Sequence, residues 1–216
     1  MAEETIYDFP EINSADENGL LAIGGNLSFG TLINAYKKGI FPWYNPGETI
    51  QWYSPDPRFV LFPNKIKIGH SMRNVLNKHL FKFTMDKAFP QVIHHCRIAK
   101  RNDDPGTWIS DEIEIAYNNL FQKGFAHSAE AWQNNELVGG LYGVLIGQVF
   151  FGESMFANKS NASKFAFINW AKVLEKNGIE LIDCQVYTSH LESLGAEFIS
   201  RKEFNVLLKR LIPEKT

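Results

Sequence analysis

The clearest patterning lies between residues 126 and 187, where strand-like apolar runs give way to a helical period and then return. Runs 127–133 and 136–146 read as the two strands of a hairpin, joined by Asn134-Asn135, a pair suited to a tight two-residue turn. Gly147 turns the chain into 148–156, an apolar and aromatic run that reads as a central strand. Residues 161–177 predict a long helix closed by Gly178, with Phe167, Trp170 and Leu174 at i, i+3 and i+7 on one face. A buried strand over 179–187 follows, then a short helix 189–194, a strand 196–200 and a final helix 202–211.

Upstream of residue 126 the pattern is less regular. Residues 1–18 predict an extended arm, and Gly19-Leu-Leu-Ala-Ile-Gly-Gly25 is a compact apolar piece punctuated by glycine. Ser28 is placed to cap a helix that runs to Lys38 and stops at Gly39. Residues 40–47 and 50–58 hold Trp43, Tyr44, Trp52 and Tyr53 in proline-rich loops, which the prolines are expected to keep out of regular strands or helices. Aromatics on such loops suit either stacking against bases or a small N-terminal core. From residue 59 onward strands 59–62 and 82–85 alternate with helices 70–79, 89–101 and 110–123, the last capped by Ser110 and ended by Gly124. The order of hairpin strands, helix and further strand is similar to that of GCN5-related acyltransferases. The expectation is an α/β (α+β) chain: a small N-terminal domain, 1–62, then an acyltransferase-like domain, 63–216, with a mixed, largely antiparallel sheet.

Composition narrows this only a little. The hydrophobic share of 44% and charged share of 21% are those of an ordinary globular protein. No apolar run reaches the roughly 18–20 residues that span a bilayer, and the acidic start does not resemble a signal peptide. Cys96 and Cys184 supply neither a disulfide framework nor a metal site. A cytoplasmic location is the expectation. The net charge of −2 conceals a strong segregation. Residues 64–102 carry nine Lys or Arg against one acid, Asp86, so a +8 segment sits inside an otherwise acidic chain. Such a run predicts a polyanion-binding face, unless it is merely a solvated surface.

Two strands contain residues that do not belong in plain core. Glu153 stands between Gly152 and Ser154 in the central strand. A carboxylate there is costly to desolvate unless something binds it, and glycine leaves room for a ligand. In Leu181-Ile-Asp-Cys-Gln-Val186, alternation puts Asp183 and Gln185 on one face and Ile182, Cys184 and Val186 on the other. Asp183 could orient Gln185 against a reacting group, or attract a cationic substrate. Core carboxylates satisfied by neighbouring amides would leave the same trace. The chain lacks a G-x-S-x-G elbow, an H-E-x-x-H pair and a Walker loop. Residues 156–164 also lack the R/Q-x-x-G-x-G/A pyrophosphate loop that a CoA-dependent enzyme needs there.

A set of motifs then falls in order along nearly the whole chain: Gly19–Gly25, Gly39-Ile-Phe-Pro-Trp43, Trp52-Tyr-Ser-Pro-Asp-Pro-Arg58, Gly106-Thr-Trp-Ile109, Ala126-His-Ser128, Glu136-Leu-Val-Gly-Gly140, Phe151-Gly-Glu-Ser-Met-Phe156, Asn161-Ala-Ser-Lys164 and 181–186. Together they closely resemble the leucyl/phenylalanyl-tRNA–protein transferase family. The resemblance implies transfer of Leu or Phe, and Met less well, from aminoacyl-tRNA to proteins beginning with Arg or Lys, marking them for degradation. It implies no CoA, no ATP, no metal and no other cofactor, since the tRNA ester is already activated; a monomer without membrane attachment is the separate expectation. By position it implies that Asp183, Gln185 and Glu153 are catalytic. Trp43 and Trp108 would sandwich the 3′-terminal adenosine, supported by Tyr36 and Tyr117. Leu141, Phe150, Gly152, Met155, Phe167, Trp170, Leu174 and Ile182 would line the side-chain pocket. The +8 segment, through Lys65, Lys67, Arg73, Lys78, Lys82, Arg97, Lys100 and Arg101, would hold tRNA phosphates. The rival expectations are a CoA-dependent N-acetyltransferase and a non-catalytic tRNA- or peptide-binding module.

Overall fold

A computed structural model describes residues 6–99 and 107–213. In chain order the elements are β1 (Leu20–Ile23), α1 (Phe29–Lys37), β2 (Phe41–Pro42), β3 (Gln51–Tyr53), β4 (Arg58–Leu61), α2 (His70–Asn77), β5 (Lys82–Met85), α3 (Phe89–Ile98) and α4 (Asp111–Gln122). They continue with β6 (Ala126–Gln133), β7 (Glu136–Ile146), β8 (Val149–Ala157), α5 (Ala162–Lys176), β9 (Leu181–Gln185), α6 (Ser189–Glu192), β10 (Glu197–Ile199) and α7 (Arg201–Leu211). This is the expected α+β architecture.

Local chemistry sets most of the ends. Ser28 accepts the N–H of Thr31 to start α1, and Gly39 at φ +72° takes the chain out of it. Ser110 accepts from Ile113, and Asp111, Glu112 and Glu114 place negative charge at the positive end of α4. Ser200 and Glu203 form a reciprocal capping box at α7. Asn134 and Asn135 both adopt positive φ, 53° and 66°, and close the β6–β7 hairpin.

The loops expected to be irregular are not. β2 and β3 form there and join β1, from the 19–25 piece, in a small antiparallel sheet of order β1-β3-β2. Pro42 is accommodated because β2 is the outer strand, where no ladder partner needs its missing N–H. Trp52 on the middle strand is fully buried and donates its indole N–H to Gly24 O at 2.8 Å. Tyr44 is also buried, whereas Trp43 is 45% exposed.

The second sheet has seven strands in the order β10-β4-β9-β8-β7-β6-β5, antiparallel except for the β8–β9 pair. β4 pairs with β9 and β10 inside it, so a domain boundary at residue 62 would cut this sheet; the pairing favours a division before Arg58. One face packs against α1, α3, α4, α7 and the small sheet, through Tyr142, Val144 and Phe151. The other packs against α5 and Met72 of α2, through Leu141, Phe150 and Ile182. Among the described residues no helix is long and apolar enough to cross a membrane.

Candidate active site

The parallel pairing of β8 with β9 runs only from Val149–Leu181 to Phe151–Asp183. Beyond that point β8 continues along β7 to Ala157, while β9 continues along β4 for two residues and ends. A wedge opens between them, and a cavity of about 470 Å³ occupies it. That is ample for an amino-acid side chain and a ring.

Both strands break register at the mouth of the wedge. Tyr142 faces Ser154 and Gly143 faces Gly152, which leaves Glu153 as an extra residue in β8. Val60 faces Asp183 and Phe59 faces Gln185, which leaves Cys184 extra in β9. Bulges of this kind re-aim side chains that a regular ladder would fix. Gln185 follows its bulge in a left-handed conformation, φ 63°, which is strained for a non-glycine residue.

Glu153 is the centre of the cavity's polar chemistry. Its Oε1 accepts the hydroxyl of Tyr36 at 2.8 Å and Gln185 Nε2 at 2.8 Å. Its Oε2 accepts the hydroxyl of Tyr117 at 2.9 Å. Burial pushes the Glu153 carboxyl up from 4.5 to about 7; Asp183's negative charge adds to the rise, and hydrogen bonds from Tyr36, Tyr117 and Gln185 oppose it. Burial, and then the charge of Glu153, hold both tyrosine phenols well above their ordinary value, so they remain donors.

Asp183 is held differently. It is fully buried, and Arg58 binds it with two bonds, Nε to Oδ1 at 2.8 Å and Nη2 to Oδ2 at 2.7 Å. The Arg58 guanidinium lies between the rings of Phe41 and Phe204, 4.7 Å from each centroid. Asp183 Oδ1 also accepts the backbone N–H of Gln185 at 2.9 Å. Asp183 therefore meets Gln185 through the main chain, while the Gln185 side-chain amide bonds Glu153 instead. It is not free to attract a cationic substrate, because an internal cation already occupies it.

Trp43 and Trp108 line the same cavity, beside Phe41 and Pro42. Leu141, Gly152, Met155, Phe167 and Ile182 form its apolar part, and a Cβ at Gly152 would approach nothing closer than Asp183 O at 3.4 Å. Phe150, Trp170 and Leu174 do not reach it; they are buried in the layer behind, with Phe150 edge-on to Trp170 at 5.4 Å. Tyr36 and Tyr117 are fully buried, so they hold Glu153 and have no surface to offer a nucleotide.

The basic segment does not form one face. Lys65, Lys67, Arg73 and Lys78 lie exposed on the α2 side and Lys82 on the edge strand β5, whereas α3, which carries Arg97, packs on the opposite face of the sheet. Arg97 is paired with Asp111 and Glu114, which neutralise it locally. Lys100 and Arg101 lie outside the described residues. The sequence pattern assigns Arg58 no role of its own, although an arginine heading the apolar run 58–61 is a sign of a buried partner. Among the described residues no group of three or more His, Cys, Asp or Glu could hold a metal ion.

The family pattern described as leucyl/phenylalanyl-tRNA protein transferase matches residues 60–209, and the pattern for its N-terminal domain matches residues 25–56. The chain belongs to the leucyl/phenylalanyl-tRNA protein transferase family. A protein of this name from Flavobacterium johnsoniae is 55% identical over 201 residues, covering 93% of this chain and 95% of its own. Another, from Syntrophus aciditrophicus, is 51% identical over 208 residues, 96% of this chain and 87% of its own. Among solved structures, a Bacteroides thetaiotaomicron protein of unknown function covers 71% of this chain and 55% of its own, at 12% identity and a TM-score of 0.46. As a member of the leucyl/phenylalanyl-tRNA protein transferase family the protein is an enzyme, an aminoacyltransferase.

Proposed function

We propose that the protein moves Leu or Phe, and Met less well, from aminoacyl-tRNA to the α-amino group of proteins that begin with Arg or Lys, in the cytoplasm, marking them for degradation. The reading is carried by one observation: an apolar recess, two tryptophans and a glutamate–glutamine pair share a single cavity. The Leu or Phe side chain occupies the recess bounded by Leu141, Met155, Phe167 and Ile182. Trp43 and Trp108 take the terminal adenosine, and the exposed cations around α2 meet tRNA phosphates.

The acceptor's neutral amine attacks the ester carbonyl, a C–N bond forms, and the C–O bond to the ribose breaks. Glu153, poised near neutrality, takes the amine proton and returns it to the departing ribose oxygen. Gln185 positions the reacting groups, and the Arg58–Asp183 pair fixes Gln185. Because the ester is already activated, orientation and charge stabilisation supply most of the rate.

The test is to incubate charged leucyl-tRNA with an Arg-starting peptide and measure product mass. A Leu-extended peptide is expected. No extension despite intact charged tRNA, or acetylation from acetyl-CoA instead, would refute the reading.

A further inference from the structure

Walls of the cavity already described account for the donor. The tryptophans face the nucleoside, the β7–α5 side takes the side chain, and Glu153 with Gln185 sits at the reacting bond. One wall remains, built from the segment that leaves β9: Val186, Thr188, His190 and Leu191. Thr188 fixes this wall by accepting the N–H of Leu191 at 3.2 Å, and Ser193 Oγ donates to the main-chain oxygen of His190 at 2.6 Å.

His190 stands out on that wall. Its Nε2 is buried, yet it has no hydrogen-bond partner among the described residues. Such an atom in a cavity wall is stable only if a bound molecule or water completes it. Burial, and then the neighbouring charge of Lys164, lower its proton affinity, so the ring is neutral near pH 7 and does not repel a cationic chain start. The Lys164 ammonium itself is turned to Ser193 Oγ at 3.2 Å.

We infer that His190 is a substrate-contacting residue of the acceptor side: its Nε2 hydrogen-bonds the first residues of the incoming polypeptide and so orients the amine toward Gln185 and Glu153. The acceptor must reach these groups along a wall the donor leaves open, and His190 lies five residues beyond Gln185 on that wall. This inference rests on the transfer reading above.

The experiment measures Leu transfer with the full chain, varying Arg-starting peptide and leucyl-tRNA separately, for wild type, His190→Phe, His190→Gln and His190→Asn. Phenylalanine keeps an aromatic ring, a somewhat larger one, and removes the nitrogen. The KM for peptide is expected to rise about ten-fold, the effect of one lost hydrogen bond to a desolvated partner, with the KM for leucyl-tRNA unchanged. Glutamine, whose amide reaches the Nε2 position, is expected to recover most of the loss. Asparagine, too short to do so, should behave like phenylalanine and serves if the phenylalanine variant does not fold. An unchanged peptide KM, or an equal rise in both KM values, overturns the assignment while the transfer reading stands. An inactive wild type overturns the transfer reading, and the assignment falls with it.

Discussion

Replacing Arg58 with methionine keeps much of the apolar volume between Phe41 and Phe204 and removes both bonds to Asp183. Arg58 is 1% exposed and Asp183 0%, so the stranded carboxylate gains no hydration in exchange. Charge-assisted bonds contribute about 1.5–3 kcal/mol each. Leaving one member of a buried pair alone costs about 3–5 kcal/mol. The two figures agree, and the expected loss of folding stability for Arg58→Met is about 3–5 kcal/mol. Urea titration of the single variants, and of Arg58→Met combined with Asp183→Asn, reads it. The double variant has no buried charge at this position, and asparagine still offers an oxygen to the Gln185 N–H. It should be more stable than the sum of its parts by about 2 kcal/mol or more.

Activity supplies an independent reading. Gln185 keeps its left-handed backbone because Asp183 accepts its N–H, and its side chain keeps its aim at Glu153 for the same reason. Arg58→Met should lower kcat about ten-fold or more with little change in the KM for aminoacyl-tRNA, and the double variant should recover part of it. A stability loss under about 1 kcal/mol, or a strictly additive cycle, would refute the role given to Arg58.

Trp43→Ala should raise the KM for aminoacyl-tRNA about ten-fold or more, with melting temperature little moved, because the indole is 45% exposed and the role proposed for it is stacking on the terminal adenosine. Lys67→Ala with Arg73→Ala should weaken tRNA binding and flatten its salt dependence, whereas Arg97→Ala should leave both unchanged, as measured by binding titrations across salt. Glu153 has a raised carboxyl, so between about 4.5 and 7 the folded chain holds a proton that the unfolded chain has lost. Wild-type stability should therefore fall as pH rises through that window relative to Glu153→Gln, by about 1–3 kcal/mol after allowance for solvent entering the cavity. The wild-type rate should rise with pH toward about 7, and Glu153→Gln should lose that limb in a pH–rate profile.

The long elements were legible because each has a local cause. Ser28, Ser110, Gly124 and Gly178 mark helix ends by chemistry that acts within one turn, and Asn134-Asn135 specifies its own turn. The small sheet leaves no trace in the pattern because β2 is two residues long and β3 three, too short for a period of two to register. The basic segment is illegible for a different reason. Its cations are contiguous in sequence, but the sheet runs between α2 and α3, and no local count reveals which face a helix covers. The same limit applies to Trp170 and Leu174. Their helical stripe was visible, but which turn of it meets the cavity is set by where α5 begins against β8.

The least legible feature is also the one on which the site depends. Glu153 and Gln185 could be singled out as residues, but their meeting requires two bulges placed where one parallel ladder stops. A bulge is a property of the pairing, not of either strand, and only traces of it are written locally. Gly143 is such a trace: a Cβ there would lie 2.1 Å from the backbone oxygen of Phe151, so only glycine allows β7 to follow β8 past Glu153. Arg58 is another, a charge that makes sense only once β4 lies beside β9. The bulged strands give up regular pairing and leave a carboxyl partly desolvated. That cost is tolerable because the Arg58–Asp183 pair and the two tyrosine hydroxyls hold the irregular backbone and the carboxylate from behind. The residues that line the cavity and the residues that keep them in place thus come from strands and helices far apart in the chain, in keeping with motifs that extend from residue 19 to residue 186 and do not cluster around the glutamate.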